Sequence, residues 1–295
     1  MALSIHLGAH KTASTHLQNS LRLVGDQLRA AGLAYVHPGM LRNATLPLSY
    51  VLAQGQGAAT DAGARQALQD MRAGCRDMLI SEENILGLTR RSRLFSRSGE
   101  VYPRAARRLR HVMALAGGGP TVLYLSLRDP ACFMASAFAL QVSRGREIEF
   151  DAYLGGRDAA DIGWAELVGR LAEVRGVSRI VLWRYEDYAL LRPRILARLL
   201  PAGLAEHVPD PPPANVGLTQ AGYDWLLRRA SALMESGAEV DLPTLSQRAR
   251  LRFPPGRGHA PLRPFDEKTG ARSAANYARE IAALRTMPGV ELLEP

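Results

Sequence analysis

The chain is poor in cysteine, in aromatic residues and in long apolar runs. Its two cysteines, Cys75 and Cys132, are isolated and form no Cys-x-x-Cys pair, which argues against a disulfide scaffold or a zinc site and favours a reducing compartment. Aromatic residues make up 6% of the sequence and do not alternate with basic ones, so we expect no nucleic-acid partner. No apolar run approaches the ~18 residues that cross a bilayer, so we expect no transmembrane segment.

The N-terminal residues lead directly into an apolar, strand-like pattern. No basic stretch, apolar segment and cleavage site precede it, and the sequence therefore predicts no signal peptide and a cytoplasmic location. The formal net charge is +9, which indicates a surface that attracts anions. The arginines are spread along the chain, and we interpret the two densest stretches, residues 90–93 and 104–110, as solvated faces. The abundance of Ala, Arg, Gly and Leu is typical of a GC-rich bacterium.

Lysine is the scarcest charged residue, and one lysine lies in a distinctive loop. Thirty-five of the 37 basic residues are arginine, which leaves Lys11 and Lys268. Lys11 follows the first apolar run, within Ile-His-Leu-Gly-Ala-His-Lys-Thr-Ala-Ser-Thr-His at residues 5–16. A strand that runs through a glycine-bearing loop into a helix presents free backbone N–H groups and the positive helix end to an anion. Lysine adds a compact positive charge on a flexible side chain, which can stay in contact with one oxygen as that oxygen moves. The pattern therefore predicts a binding site for a phosphate group.

Four strand-like runs alternate with helical patterns along most of the chain. This alternation predicts an α/β fold with a parallel sheet and helices on both faces. We expect a single domain over residues 1–295, with an α/β core at 1–208 and a mainly helical extension at 209–295. In the extension we expect helices near 219–235 and 265–285 and a loop over 241–264. The predicted strands are residues 3–7, 78–80, 121–127 and 180–183.

The third apolar run ends in Arg128-Asp129-Pro130, and a helix carrying Ser136 follows it. An arginine at a strand end and a serine about two turns into the next helix can converge on one phosphate. Ligands of parallel sheets bind outside the carboxyl ends of the strands. Lys11, Arg128 and the acidic pair Glu82-Glu83 each follow such a run, so we expect them at one site.

The loop around Lys11 resembles the 5′-phosphosulfate loop of sulfotransferases that use 3′-phosphoadenosine-5′-phosphosulfate (PAPS). Bacterial members often have His-Leu-Gly-x-His-Lys-Thr-Gly-Thr-Thr, from which only Ala13 and Ser14 depart. The loop is not a Walker A motif, because His10 replaces the glycine before the lysine. The segment Ile180–Asp187, with its Tyr-Glu-Asp corner, and more weakly Asn215–Thr219 also resemble this family. The resemblance implies a P-loop NTPase-like sheet, PAPS as cofactor, PAP as product and no metal.

The resemblance also implies roles for individual residues. The 5′-phosphosulfate would be held by Gly8, Lys11, Thr12, Ala13, Ser14 and Thr15, and the 3′-phosphate by Arg128 and Ser136. In these enzymes a basic C-terminal loop closes over the 3′-phosphate, and the segment with Arg257 and Gly258 is the candidate here. An ordinary surface loop explains Arg257 and Gly258 equally well.

The chemistry implied is in-line sulfuryl transfer to a hydroxyl or amine, with Lys11 neutralising charge on the departing phosphate oxygen. For the base, Ser81-Glu82-Glu83-Asn84 resembles a Ser-x-Glu-Asn segment of bacterial sulfotransferases, and Glu83 matches its glutamate. A carboxylate beside a partly buried site can have its pKa raised toward neutrality and accept a proton. Alternatively Glu83 only pairs with an arginine, and Glu82, His10 or His16 takes its role.

Two other functions remain open from the sequence. One is a P-loop small-molecule kinase, in which residues 78–83 carry a magnesium ligand and a base. The other is a catalytically inactive protein that binds PAP or another nucleotide, with Ala13 as the sign of lost turnover. The acceptor, whether carbohydrate, lipid or small molecule, is not specified. Its pocket is expected from residues 35–60, 89–101 and 144–163. The oligomeric state is also open.

Overall fold

A computed structural model describes residues 2–43, 46–54, 57, 60–212 and 217–295. Its centre is a single sheet in which every strand pairs in parallel with its neighbours. The strands are β1 (Leu3–His6), β2 (Leu33–Val36), β3 (Asp77–Ser81), β4 (Thr121–Leu127), β5 (Val177–Arg184) and β6 (Val290–Leu292). Their order across the sheet is β2-β3-β1-β4-β5-β6. The predicted α/β class with a parallel sheet is confirmed.

Helices fill the connections and the C-terminal region. In the described residues these are α1 (Ser14–Arg22), α2 (Gly25–Ala30), α3 (Pro38–Leu41), α4 (Leu48–Gln54), α5 (Thr60–Arg72), α6 (Arg91–Leu94), α7 (Ala105–Leu115), α8 (Pro130–Val142), α9 (Phe150–Leu154), α10 (Ala165–Ala172), α11 (Tyr188–Leu199), α12 (Gln220–Glu235), α13 (Leu242–Arg252) and α14 (Glu267–Arg285).

Side chains alternate between two apolar layers along each strand, as the period of two requires. Ile5, Ile80 and Leu123 belong to the larger buried cluster, which α7, α8, α10 and α14 cover. Leu79 and Trp183 belong to the second cluster, together with apolar residues of α1, α2 and α11. Helices therefore cover both faces of the sheet, as predicted from the sequence.

The C-terminal region is mainly helical and is built onto the core. Leu226, Leu245 and Ile281, from its three helices, lie in the same buried cluster as the strand residues Ile5 and Leu123. The region then ends in β6, which pairs with β5 through Ile180 and Val290. The division at residues 208 and 209 stays a prediction.

Several predicted boundaries were wrong. The sequence reading missed β2 and β6, the two edge strands of the sheet, which have four and three residues. Because β2 exists, Glu82 and Glu83 follow the third strand of the chain and not the second. The expected loop at 241–264 contains α13, which Asp241 caps by accepting a hydrogen bond from the Thr244 N–H. Asn215 and Val216, of the weaker family-like segment, lie outside the described residues.

Within the described ranges, no helix combines the length and the apolar character needed to span a bilayer. The same residues contain no cluster of three or more His, Cys, Asp or Glu side chains arranged to hold a metal ion.

Candidate functional site

The site begins where β1 runs into α1. Backbone pairing with β4 continues past the end of β1, since Leu7 N–H and Ala9 N–H donate to the carbonyls of Tyr124 and Ser126 at 2.9 Å. This pairing brings the following loop beside the end of β4, which Arg128 directly follows. The loop then turns through two non-glycine residues with positive φ, Lys11 at 67° and Ala13 at 62°. The turn sets the first N–H groups of α1 toward the carboxyl edge of the sheet, where an anion can bind.

Gly8 and Ser14 fit one another closely inside the loop. Gly8 has a φ of 48°, and a Cβ added to it would lie 2.3 Å from the Ser14 Oγ. Glycine is thus required at position 8 both by conformation and by space. The Ser14 Oγ is buried and has no hydrogen-bond partner among the described residues. A buried hydroxyl without a partner costs free energy, which a bound acceptor oxygen would recover.

Thr12 stabilises the loop from inside. Its side chain is buried, and its hydroxyl donates to the Ala9 carbonyl. The hydroxyl proton is therefore already used, so Thr12 has only its backbone N–H to offer an anion. Ala13 occupies the position before α1 and supplies no side-chain cap, while Thr15 is half-buried in the first turn.

Four cations converge on the loop. The Arg128 guanidinium donates a hydrogen bond of 3.0 Å to the Lys11 carbonyl and lies 4.6 Å from the centre of the Tyr185 ring. Burial lowers the pKa of Lys11, and the charges of Arg128, Arg250 and Arg144 lower it further. None of these four side chains forms an ion pair within the described part of the chain. Such a cluster of uncompensated charge favours a bound polyanion.

The other predicted cofactor residues are less tightly placed. Ser136 lies half-buried in α8, the helix that Asp129 caps by accepting from the Cys132 N–H at 3.0 Å. Arg257 and Gly258 are exposed in the turn that follows α13. No described contact joins either of them to the Lys11 loop. Arg250, in the last turn of α13, is the arginine of this region whose charge lowers the pKa of Lys11.

The acidic residues follow β3 and are held by an arginine. Arg42 donates from Nε and Nη2 to the two carboxylate oxygens of Glu82, at 2.8 and 2.6 Å, and from Nη2 to Glu83 at 2.8 Å. Gln18 donates to the second oxygen of Glu83 at 3.0 Å. Glu82 also accepts from the Asn84 N–H at 2.8 Å, which fixes the short turn Glu83–Ile85.

These partners set the ionisation of the two carboxylates in opposite directions. Burial raises the pKa of Glu82, which is 2% exposed, although its bonds with Arg42 oppose the rise. Burial acts in the same sense on Glu83, but the charges of His10 and Arg42 and the Gln18 hydrogen bond outweigh it and lower the pKa of Glu83 to about 2. The predicted rise toward neutrality was wrong for Glu83, because the guanidinium stabilises its ionised form.

His10 lies between the lysine and the carboxylates, and both of its nitrogens are bonded. Its Nε2 donates to the Asn84 Oδ1 at 3.1 Å, and its Nδ1 is hydrogen-bonded to the Tyr102 hydroxyl at 2.7 Å. The ring is 8% exposed, and burial lowers its pKa, an effect that the charge of Glu83 opposes. Because both ring nitrogens are bonded, the orientation of the His10 ring is fixed.

His16 lies on the other side of α1. It contacts the Tyr188 hydroxyl at 2.9 Å and donates to the Pro211 carbonyl at 2.8 Å, so its partners are distant in sequence. These bonds tie α1 to α11 and to the start of the C-terminal region. His16 contacts none of Lys11, Arg128 and Glu83.

The sequence reading missed Arg42, Arg250 and Arg144 as members of the site. All three lie outside any recognisable motif, and in a chain with 35 arginines their identity carries no signal. From the sequence alone, many arginines could pair with Glu82 and Glu83. Only the tertiary structure shows which arginine does so.

Comparisons with known proteins give the following. No family model and no curated protein matches the chain. A solved sulfotransferase from Alicyclobacillus acidocaldarius is 15% identical over 96% of this chain and 93% of that one, with a TM-score of 0.40. The signal recognition particle 54 kDa protein from Aeropyrum pernix K1, solved with GDP, is 12% identical over 85% of this chain and 57% of that one, with a TM-score of 0.29. At these values neither likeness bears on the reaction.

Proposed function

We propose that this protein is a PAPS-dependent sulfotransferase that moves a sulfuryl group to a hydroxyl or amine. The observation that carries the proposal is the convergence of Lys11, Arg128, Arg250 and Arg144 without an acidic partner in the described residues. PAPS carries a 3′-phosphate and a 5′-phosphosulfate, and two separated anionic groups suit a loop lysine together with arginines from other elements.

The loop residues fit the phosphosulfate. The unpartnered Ser14 Oγ is a free donor, and the missing side chain of Gly8 leaves the room that this hydroxyl occupies. The positive φ of Lys11 and Ala13 sets successive N–H groups around a concave surface, the arrangement that binds anions in phosphate loops. The donors are therefore of the kind that this ligand needs.

We assign the residues as follows. Gly8, Lys11, Ser14 and Thr15, with the backbone of Thr12 and Ala13, hold the 5′-phosphosulfate. Arg128, Ser136 and Arg250 hold the 3′-phosphate, and Arg257 and Gly258 stay predictions for this contact. PAPS, when bound, supplies a sulfuryl group whose bond to the phosphate oxygen breaks on transfer. Lys11 stabilises the charge that develops on that oxygen.

Glu83 is the proposed proton acceptor, and Arg42 controls its basicity. A carboxylate with a pKa of about 2 is ionised at neutral pH but is a weak base. Its basicity rises when the acceptor displaces Arg42, because the guanidinium no longer stabilises the charge. Arg42 is 43% exposed and can move into solvent. His10 keeps Asn84 and the turn beside Glu83 in place.

The kinase alternative is disfavoured by the same contacts. A kinase needs a carboxylate that can bind magnesium, and both Glu82 and Glu83 are bonded to Arg42. Binding without turnover is the better second candidate, since Arg42 neutralises Glu83 and Ala13 adopts the left-handed conformation that glycine favours. Tight PAP binding with no sulfuryl transfer to any member of an acceptor panel would establish it.

Calorimetric titration with PAP, beside ATP with magnesium, tests the proposal. We expect binding that Lys11→Ala and Arg128→Ala each weaken about ten- to a hundredfold, because each variant removes a charged phosphate contact. Lys268→Ala, the other lysine, is the matched control and lies exposed on α14, so it should leave the affinity unchanged. Binding of ATP and not of PAP would refute the assignment in favour of the kinase.

A further inference from the structure

A second group of arginines extends outward from the Lys11 site. Arg90 precedes α6, whereas Arg144 and Arg146 lie in the turn after α8, and all three are exposed. Desolvation and the charges of Arg90 and Arg144 lower the pKa of Arg146, in agreement with the proximity of the three residues. The charge of Arg144 also lowers the pKa of Lys11, so Arg144 belongs to both groups of cations.

Buried hydrogen bonds hold this group together. Gln141, at the end of α8, donates to the Thr89 hydroxyl at 3.0 Å, and both residues are at most 3% exposed. The Tyr153 hydroxyl donates to the Thr89 carbonyl at 2.7 Å. Because Thr89 directly precedes Arg90, these contacts fix the segment of Arg90 beside the turn of Arg144 and Arg146.

The turn itself is also anchored. The N–H groups of Arg144 and Arg146 donate to the Gln141 carbonyl at 3.1 and 3.0 Å. Gly145 has a φ of 65°, and a Cβ there would lie 3.2 Å from the ring of Pro243 in the first turn of α13. The helix that supplies Arg250 therefore packs against the turn that supplies Arg144.

Acidic residues follow this turn in sequence, near the first residues of α12 in space. The Tyr223 hydroxyl, on α12, donates to the Ile148 carbonyl at 2.7 Å. Burial raises the pKa of Tyr223 to about 12, and the nearby charges of Glu149, Asp151 and Glu147 contribute to the rise. None of these three carboxylates is among the charges that shift the pKa of Arg146. Arg90, Arg144 and Arg146 form no ion pair with any described residue.

We propose that Arg90, Arg144 and Arg146 bind the sulfate acceptor, and that this acceptor carries carboxylate, phosphate or sulfate groups of its own beside the hydroxyl or amine. This inference rests on the proposed function. A neutral acceptor would leave three neighbouring, exposed arginines without a compensating charge, and their mutual repulsion is unfavourable. Anionic groups on the acceptor remove that repulsion and also orient the acceptor toward Lys11. The earlier interpretation of Arg90 as part of a solvated face is thereby revised.

The test compares two fluorescent hexasaccharides, carboxylated oligoglucuronate and neutral maltohexaose, in binding titrations with and without PAP. We expect the carboxylated probe to bind at least tenfold more tightly and to weaken as salt is added. The double variant Arg90→Gln/Arg146→Gln should weaken it roughly five- to tenfold, because two exposed ion pairs are lost. PAP affinity should change less than twofold, since neither residue is placed in the cofactor site.

The matched control is Arg110→Gln/Arg175→Gln, which removes the same charge. Arg110 lies in α7 and Arg175 directly before β5, toward the opposite edge of the sheet. Equal binding of the two probes, or an equal loss in the two double variants, would overturn the inference. Absence of PAP binding would refute the proposed function alone, because the hexasaccharide titrations without PAP still decide whether the arginines recognise an anionic ligand.

Discussion

Arg128 donates a hydrogen bond of 3.0 Å to the backbone carbonyl of Lys11, 117 residues earlier in the chain. The bond joins the end of β4 to the loop after β1. Each of the two residues proposed to bind PAPS thereby helps to hold the other in place. The Trp164 indole N–H donates to the Arg128 carbonyl at 2.7 Å and stabilises the same residue from behind. The Arg128 side chain and the Lys11 backbone are therefore positioned before any anion arrives, which lowers the entropic cost of binding.

Arg128→Lys should show how much of the contribution of Arg128 to PAP binding comes from its charge and how much from the shape of its guanidinium group. Lysine keeps the positive charge, but its single ammonium is unable to bond the Lys11 carbonyl and present a planar fork to a phosphate together. We expect PAP affinity to fall about tenfold by calorimetry, with thermal stability changed by only a few degrees. An affinity equal to that of the wild type would show that Arg128 contributes charge alone.

Ala13→Gly should stabilise the protein. Ala13 has a φ of 62°, and the left-handed conformation costs a non-glycine residue roughly 1–2 kcal/mol. The gain is reduced by the greater freedom of glycine in the unfolded chain, so we expect a net increase of up to about 1 kcal/mol in the free energy of unfolding. Urea denaturation measures it. Ala275→Gly, at an exposed position of α14, is the control and should cost about 1 kcal/mol.

His6 should make stability depend on pH between about 4 and 6.5. The ring is 1% exposed and contacts the Ser81 hydroxyl at 2.8 Å; burial lowers its pKa from 6.5 to about 4, and the charge of Glu83 only partly opposes this. The unfolded chain thus binds a proton more readily across this window. Stability from neutral His6 is complete above pH 6.5 and is lost as pH falls to 4, by roughly 3 kcal/mol.

Urea denaturation of the wild type and His6→Asn at several pH values isolates this effect. Asparagine keeps a polar atom near the Ser81 hydroxyl and does not titrate. The difference in unfolding free energy between the two proteins should shrink as pH falls from 6.5 to 4. A difference that stays constant over that range would show that His6 does not have the lowered pKa.

Arg42→Gln should remove the ion pair of Glu83 and raise the pKa of its carboxyl group. The folded-state pKa of Glu83 is about 2 against an ordinary 4.5, so its ionisation contributes stability that is present above pH 4.5 and lost as pH falls toward 2. Without the guanidinium the pKa should rise, and this acid-sensitive contribution should diminish. Denaturation between pH 3 and 6 on wild type, Arg42→Gln, Glu83→Gln and the double variant forms the required cycle. The loss of unfolding free energy caused by Glu83→Gln is compared in the wild type and in Arg42→Gln. If that loss depends on pH in the same way in both, Arg42 does not control the pKa of Glu83.

The sequence predicted most of the sheet and part of the site. The four strand patterns recognised in the sequence, and their alternation with helices, predicted the fold class, because burial on both faces makes such strands strongly apolar. The loop of Lys11 and the strand end at Arg128 were predicted to meet, and Arg128 does bond the Lys11 carbonyl. The short strands β2 and β6 and the helix α13 were missed, since each depends on neighbours for its stability. The role of Ser136 in a phosphate site stays a prediction.

What the sequence determined by itself is local: an apolar strand, a glycine-bearing turn with a lysine, and a helix start that presents N–H groups. Those features follow from the conformational preferences of a few adjacent residues. Which arginine holds Glu82 and Glu83, and which arginines act on Lys11, was decided only by the tertiary structure. Electrostatic pairing depends on distance in space between residues such as Arg42 and Glu83, and no local pattern encodes that distance.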